Sequence, residues 1–184
     1  MVGNLPSLSS ADADAVRRAV RYLYDLGHRQ IARVGGPESL AHSYIRDSAF
    51  ADVASELGMR YRCLHTDYTP ETGREATKRL LAFSEHPTAI IYDNDVMALA
   101  GLGVAASQGI KVPEEISIMS WDDSLMCAAA YPNLTAMGRD VVDTGKQAAG
   151  LLLKLIGGER VGHLMEGPYE FRARASTGPA PAAE

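Results

Sequence analysis

The chain has 184 residues, 46% hydrophobic and 22% charged, enough to bury a core and too apolar for a disordered, collagen-like or coiled-coil chain. Its 18 basic and 23 acidic side chains give a formal charge of -5, so no overall field draws this segment to nucleic-acid phosphates or anionic lipid. With no leader-like start, no run of 18 apolar residues and only Cys63 and Cys127, far apart, it reads as a soluble cytoplasmic protein in a reducing compartment, its thiols free unless the fold brings them together.

Taken in chain order, Ser10 reads as the cap of a first helix. Its stripe Val16, Ala19, Val20 and Leu23 faces a core, Asp12 and Asp14 sit at its positive end, and Gly27 suits a left-handed stop. Apolar runs rich in β-branched residues then recur at 31–34, 61–64, 89–92 and 116–121, their starts 30, 28 and 27 residues apart. Helical spacing fills the intervals: Phe50, Val53, Ala54 and Leu57 stopping at Gly58, then Ala76, Leu80 and Phe83 behind a Thr69 cap and Pro70, then a helix after Asp95 ending at Gly109. Strand alternating with helix predicts an α/β fold, a parallel sheet with helices on both faces. A long helix spans about 140 to 156 and ends at Gly157-Gly158, one or two short strands follow in 163–172, and the Pro-rich tail 176–184 is expected to be frayed.

Ligands of open parallel sheets bind outside the carboxyl ends of the strands, and there the chain is polar: Gly35-Gly36-Pro37, Asp67-Tyr68, Asp93-Asn94-Asp95 and Asp122-Asp123-Ser124. Carboxylates with an amide and a ring suit a neutral polyhydroxylated or amine-bearing ligand and not a polyphosphate. Plainer readings stand beside this one. Asp95 and one of Asp122 and Asp123 are equally explained as helix caps, Gly35-Gly36-Pro37 as a tight turn, Tyr68 and Trp121 as packing, and Arg46 as a solvated helix charge. No hydrolase triad or zinc spacing occurs. One enzymatic alternative remains: a strand ending in Asp93-Asn94-Asp95 resembles the nucleophile motif of haloacid-dehalogenase-type phosphatases, with Asp122-Asp123 for Mg²⁺.

Five segments in order resemble LacI/GalR-type bacterial transcription regulators. They are Leu26-Gly27-His28-Arg29-Gln30-Ile31-Ala32 with Gly35-Gly36-Pro37; Asp67-Tyr68 with Glu71, Gly73 and Ala76; Pro87-Thr88-Ala89-Ile90 with Asn94-Asp95 and Met97-Ala98-Leu99; Val112-Pro113-Glu114-Glu115-Ile116-Ser117 with Trp121-Asp122-Asp123; and Pro132 with Leu134-Thr135. The resemblance implies a periplasmic-binding-protein-like, type I effector-sensing core, non-enzymatic, needing neither cofactor nor metal. It implies a homodimer that reaches DNA only through a headpiece absent from this chain, with no membrane contact. It divides the chain into an extension (1–10), the second, effector-binding subdomain (11–138 and 163–175) and a helix and turn (139–162) that the family packs in a first subdomain. In this chain the apolar face of that helix must then find another cover, by swapping, dimerisation or altered docking. By position, Arg46 forks onto ligand oxygens, Tyr68 stacks on the ligand, and Asn94 and Asp122 hydrogen-bond its polar groups; Asp93, Trp121 and Arg139 depart from the family and tune the effector, a sugar, polyol or nucleoside. The helix around 97–107 is either a dimer face or packed on its own sheet.

Overall fold

A computed structural model describes residues 6–182. In chain order its elements are β1 (Ser7–Ser9), α1 (Asp12–Asp25), β2 (Gln30–Gly35), α2 (Ala41–Glu56), β3 (Arg60–His65), α3 (Pro70–Leu81), β4 (Ala89–Tyr92), α4 (Asp95–Ser107), β5 (Ser117–Trp121), α5 (Leu125–Ala129), β6 (Thr135–Gly138), α6 (Val141–Ile156), β7 (His163–Met165) and β8 (Glu170–Arg172). Six strands form one sheet in the order β3-β2-β4-β5-β6-β8; the first five run parallel and β8 is antiparallel at the edge.

The pleat divides the side chains between two cores. In β4, Ala89 and Ile91 point to the layer of α1 and α2, packing with Val16, Leu23 and Phe50, while Ile90 and Tyr92 point to α3 and α4, packing with Leu80, Met97 and Leu102. Burial on both faces explains why the central strands read as unbroken apolar runs. The open edge strand β3 keeps Arg60, Tyr61 and Arg62 exposed.

Several expectations are corrected. Ala11, not Ser10, precedes α1, and the Ser10 hydroxyl instead bonds the Asp12 carboxylate, which is buried and therefore needs the donor more than the helix amides do. Within the 1–10 extension, residues 7–9 pair with β7 in a separate two-stranded sheet, and of the two strands in the 163–175 segment only β8 joins the main sheet. The 176–184 tail is docked as far as it is described. Ser176 is buried, its hydroxyl donates to the Ile118 carbonyl and accepts from the Thr135 amide, and the Ala180 amide reaches the Leu26 carbonyl. Hydrogen bonds to the sheet ends, which composition does not register, hold it there. Residues 183 and 184 lie outside the described residues. The 97–107 helix packs on its own sheet and on α3, with Met97, Ala98, Leu102 and Val104 buried. Among the described residues the apolar face of α6 is left largely uncovered: only Leu151 is buried, and Val141, Val142, Leu152, Leu153 and Ile156 are exposed.

His28 locks the tail to the sheet from a fully buried position, its ring bonded to Thr88, Ser117 and the Gly178 carbonyl. Burial holds its imidazole below the ordinary range, only partly opposed by the Gly178 carbonyl. The unfolded chain therefore takes up a proton first, and stability falls as pH drops below about 6.5, by at most about 1.4 kcal/mol per pH unit. Urea melts between pH 7 and 5 test this; His28→Gln is expected to flatten that limb. Leu153→Lys and Ile156→Lys on the open side of α6 are expected to shift stability by less than about 0.5 kcal/mol, against about 2–5 kcal/mol for Leu23→Ala in the core, by the same melts.

Candidate functional site

The strand ends of the main sheet surround a hollow of about 310 Å³ lined by Ser10, Asp12, His42, Arg46, Tyr68, Asp93, Asn94, Asp122, Arg139 and Tyr169. Six of the seven residues singled out in the sequence meet there. The seventh, Trp121, lies beneath it, 1% exposed, with the Arg46 guanidinium 4.5 Å above its ring and the Tyr169 ring edge-on at 5.4 Å. Its indole Nε1 has no partner among the described residues.

Two wall residues carry backbone strain. Tyr68 (φ 69°) and Asp122 (φ 66°) occupy the left-handed region that non-glycine residues seldom adopt. Tyr68 is held there by close packing over Gly36, where a Cβ would stand 1.9 Å from the tyrosine Cζ, and its hydroxyl meets His42 Nε2 at 2.7 Å. Glycine is thus required at 36 to let the ring lie against the backbone, not to cradle phosphate.

Beneath the wall runs an ionic network. Arg46 is buried on α2 and donates from Nε to Asp12 at 2.6 Å, with Nη1 3.6 Å from Asp93. Burial alone would raise the Asp12 carboxyl, but the charge of Arg46 and hydrogen bonds from Ser10, Arg46 and Tyr169 hold it below the ordinary carboxylate range. Arg46 is likewise held charged against its burial by Asp93 and Asp12. Asp93 gives up both oxygens to Arg33, at 3.0 Å from Nε and 2.5 Å from Nη2. It is no spare acceptor for a ligand, as its sequence position suggests, because a buried carboxylate takes the nearest cation.

Asp122 behaves differently. Its carboxylate has neither an ion pair nor a hydrogen bond among the described residues, and burial pushes its pKa up, partly opposed by Arg46 and Arg139. Asn94 is half committed: its carbonyl oxygen caps α4 by accepting from the Met97 amide at 2.8 Å, and its amide donates to the Tyr68 carbonyl. Arg139 reaches Glu166 at 3.3 Å. The caps expected of Asp95 and of the Asp122-Asp123 pair fall instead to Asn94 and Ser124, which stand directly before the first helical residues and accept from the Met97 and Met126 amides. Asp123 is clamped by Arg174 and Arg172 at 2.7 Å each, tying β8 to the sheet.

Asp12, His42 and Tyr169 are wall residues the sequence did not disclose as such. Asp12 carried a helix-dipole signal, and Tyr169 and His42 carried none. Both thiols are free, and burial pushes the Cys63 thiol up to about 11, far from reactivity.

Residues 20–177 match the periplasmic binding protein-like domain. The chain belongs to that family. Its relatives there are LacI-type regulators, and the chain corresponds to their effector-binding part. It is 33% identical over 161 residues to the transcriptional repressor CytR of Escherichia coli, a match covering 86% of this chain and 47% of that protein. It superposes with a TM-score of 0.93 and 60% identity on a LacI family transcriptional regulator from Bifidobacterium animalis, over 96% of this chain and 65% of the other. A LacI family regulator from Enterococcus faecium with bound ribose matches with a TM-score of 0.88 and 25% identity, over 97% of this chain and 68% of the other. The chain thus spans about half the length of the curated relatives it matches. The phosphatase alternative finds no support: these relatives are regulators, and Asp93, its required nucleophile, is held at both oxygens by Arg33. No helix among the described residues is long and apolar enough to cross a membrane.

Gly36→Ala is expected to drive the Tyr68 ring out of the wall and to cost about 1–3 kcal/mol of stability by overpacking. Thermal melts with tyrosine near-UV dichroism check both; a ring signal unchanged from wild type refutes the packing account.

Proposed function

We propose that the hollow binds a small, neutral, hydroxyl-rich effector, a sugar, polyol or nucleoside, for a LacI-type transcription regulator. The observation that carries this reading is the unengaged Asp122 carboxylate in the same hollow as the Arg46 guanidinium, with the Tyr68 ring in the wall. One acceptor, one planar donor and an apolar face match a ring that bears hydroxyls on its rim, since each hydroxyl both donates and accepts. Arg139 and the remaining Asn94 amide proton add donors. The ribose held by the Enterococcus relative supports the same ligand class.

In the intact regulator, effector binding biases the closure of two subdomains and so the affinity of a headpiece for DNA, a coupling typically of about 1–3 kcal/mol. The open side of α6 and the small β1–β7 sheet then lie against a first subdomain, and the protein works as a cytoplasmic homodimer. Exposed Leu125, Met126 and Tyr131 near α5 offer apolar surface to a second copy.

Trp121 is the one tryptophan of the chain and reports on the hollow through Arg46. Titrating D-ribose, other pentoses, hexoses, polyols and nucleosides against its emission, alongside thermal shifts, is expected to find a binder that adds about 2.7 kcal/mol of stability at a hundredfold excess over Kd. Arg46→Ala and Asp122→Asn are each expected to cost about 2–5 kcal/mol of binding. Wild-type affinity in both variants would remove the site.

A further inference from the structure

We infer that Arg33, which does not touch the hollow, is the positioning residue that keeps the Arg46 guanidinium available to a ligand; this rests on the reading that the hollow takes one. Arg33 occupies a core position on β2, 1% exposed, between Ala32 and Val34 of the opposite face. A guanidinium is placed so deep only where carboxylates meet it, and here two do. Its Nε and Nη2 close a two-point fork on Asp93 at the end of β4. Its Nη1 holds Asp47, the residue after Arg46 on α2, whose other oxygen takes His65 Nε2 at 2.9 Å. Arg33 therefore latches the turn of α2 that carries Arg46 to the strand end that lines the hollow.

The distances show what this arrangement prevents. Without Arg33, Asp93 keeps one weak donor, the Gly36 amide at 3.4 Å, and the nearest remaining cation is Arg46, whose Nη1 already stands 3.6 Å away. A buried carboxylate short of partners draws that guanidinium in. Arg46 then leaves Asp12, the Tyr169 hydroxyl at 3.4 Å and the Trp121 ring, and the hollow loses its planar donor. With Arg33 in place Asp93 is satisfied, so Arg46 keeps its Nε on Asp12 and its face on Trp121. The pair Arg33 and Asp93 thus acts on a ligand only through Arg46.

Two ligand-free signals test this in the chain as it stands: the Arg46 Nε–Hε cross-peak in proton–nitrogen spectra, identified by its loss in Arg46→Lys, and the emission of Trp121. Arg33→Met is expected to move the cross-peak and change the emission, and Arg33→Met combined with Asp93→Asn to return both toward wild type, because no unpaired carboxylate is left to draw Arg46. Arg33→Lys, which keeps the charge and loses the fork, is expected to give a partial shift. With whichever sugar or nucleoside the wild type binds, Arg33→Met is expected to weaken binding at least tenfold. Signals unmoved in Arg33→Met, or in Arg33→Lys should the methionine variant not fold, overturn the assignment, as does a double variant as displaced as the single one. Failure of the wild type to bind any compound tried strikes the ligand reading, while the spectra still decide the role of Arg33.

Discussion

Two guanidinium groups sit in the interior of this protein, and the arrangement of the strand ends follows from the need to neutralise them. Arg33 and Arg46 are met by Asp93, Asp47 and Asp12, drawn from the residue after β4, from α2 and from the first turn of α1. Charges taken out of water are tolerated only with close, well-aligned partners, so these three elements are held in one mutual position at the rim of the sheet. The cores fill the space on either face; the ionic network decides where the loops above them stand.

The same constraint sorts the acidic residues of the rim into different roles. Asp93 and Asp12 serve arginines, Asp123 anchors β8 through Arg172 and Arg174, and Asp122 alone of the hollow's carboxylates is left without a partner among the described residues. Strained backbone marks two of the residues that line the hollow, Tyr68 and Asp122. Strain of this kind persists where the surroundings over-determine it, as the packing of Tyr68 over Gly36 does. The hollow thus presents one unengaged acceptor, one held donor and a ring.

The exposed side of α6 and the separate β1–β7 sheet contrast with this rigid half. The β1–β7 pair is separate from the main sheet, and Val141, Val142, Leu152, Leu153 and Ile156 of α6 are exposed among the described residues.

The alternation of strand and helix was legible in the sequence because central parallel strands are apolar on both faces and the helices carry a stripe of period 3.6, both being local properties of the chain. So was the set of polar residues at the strand ends, since chain order places them all on one rim. Which of those residues are free was decided only by the tertiary structure: Asp93 and Asp122 look alike in sequence, and what tells them apart is that Arg33 forks onto one while the other has no ion pair or hydrogen bond among the described residues. Asp12, His42 and Tyr169 entered the wall through contacts between residues as much as 157 positions apart, beyond the reach of any periodicity. The docked tail was missed for a related reason. A Ser–Thr–Gly–Pro stretch reads as loose by composition, yet Ser176 and His28 hold it through hydrogen bonds that exist only once the sheet is formed.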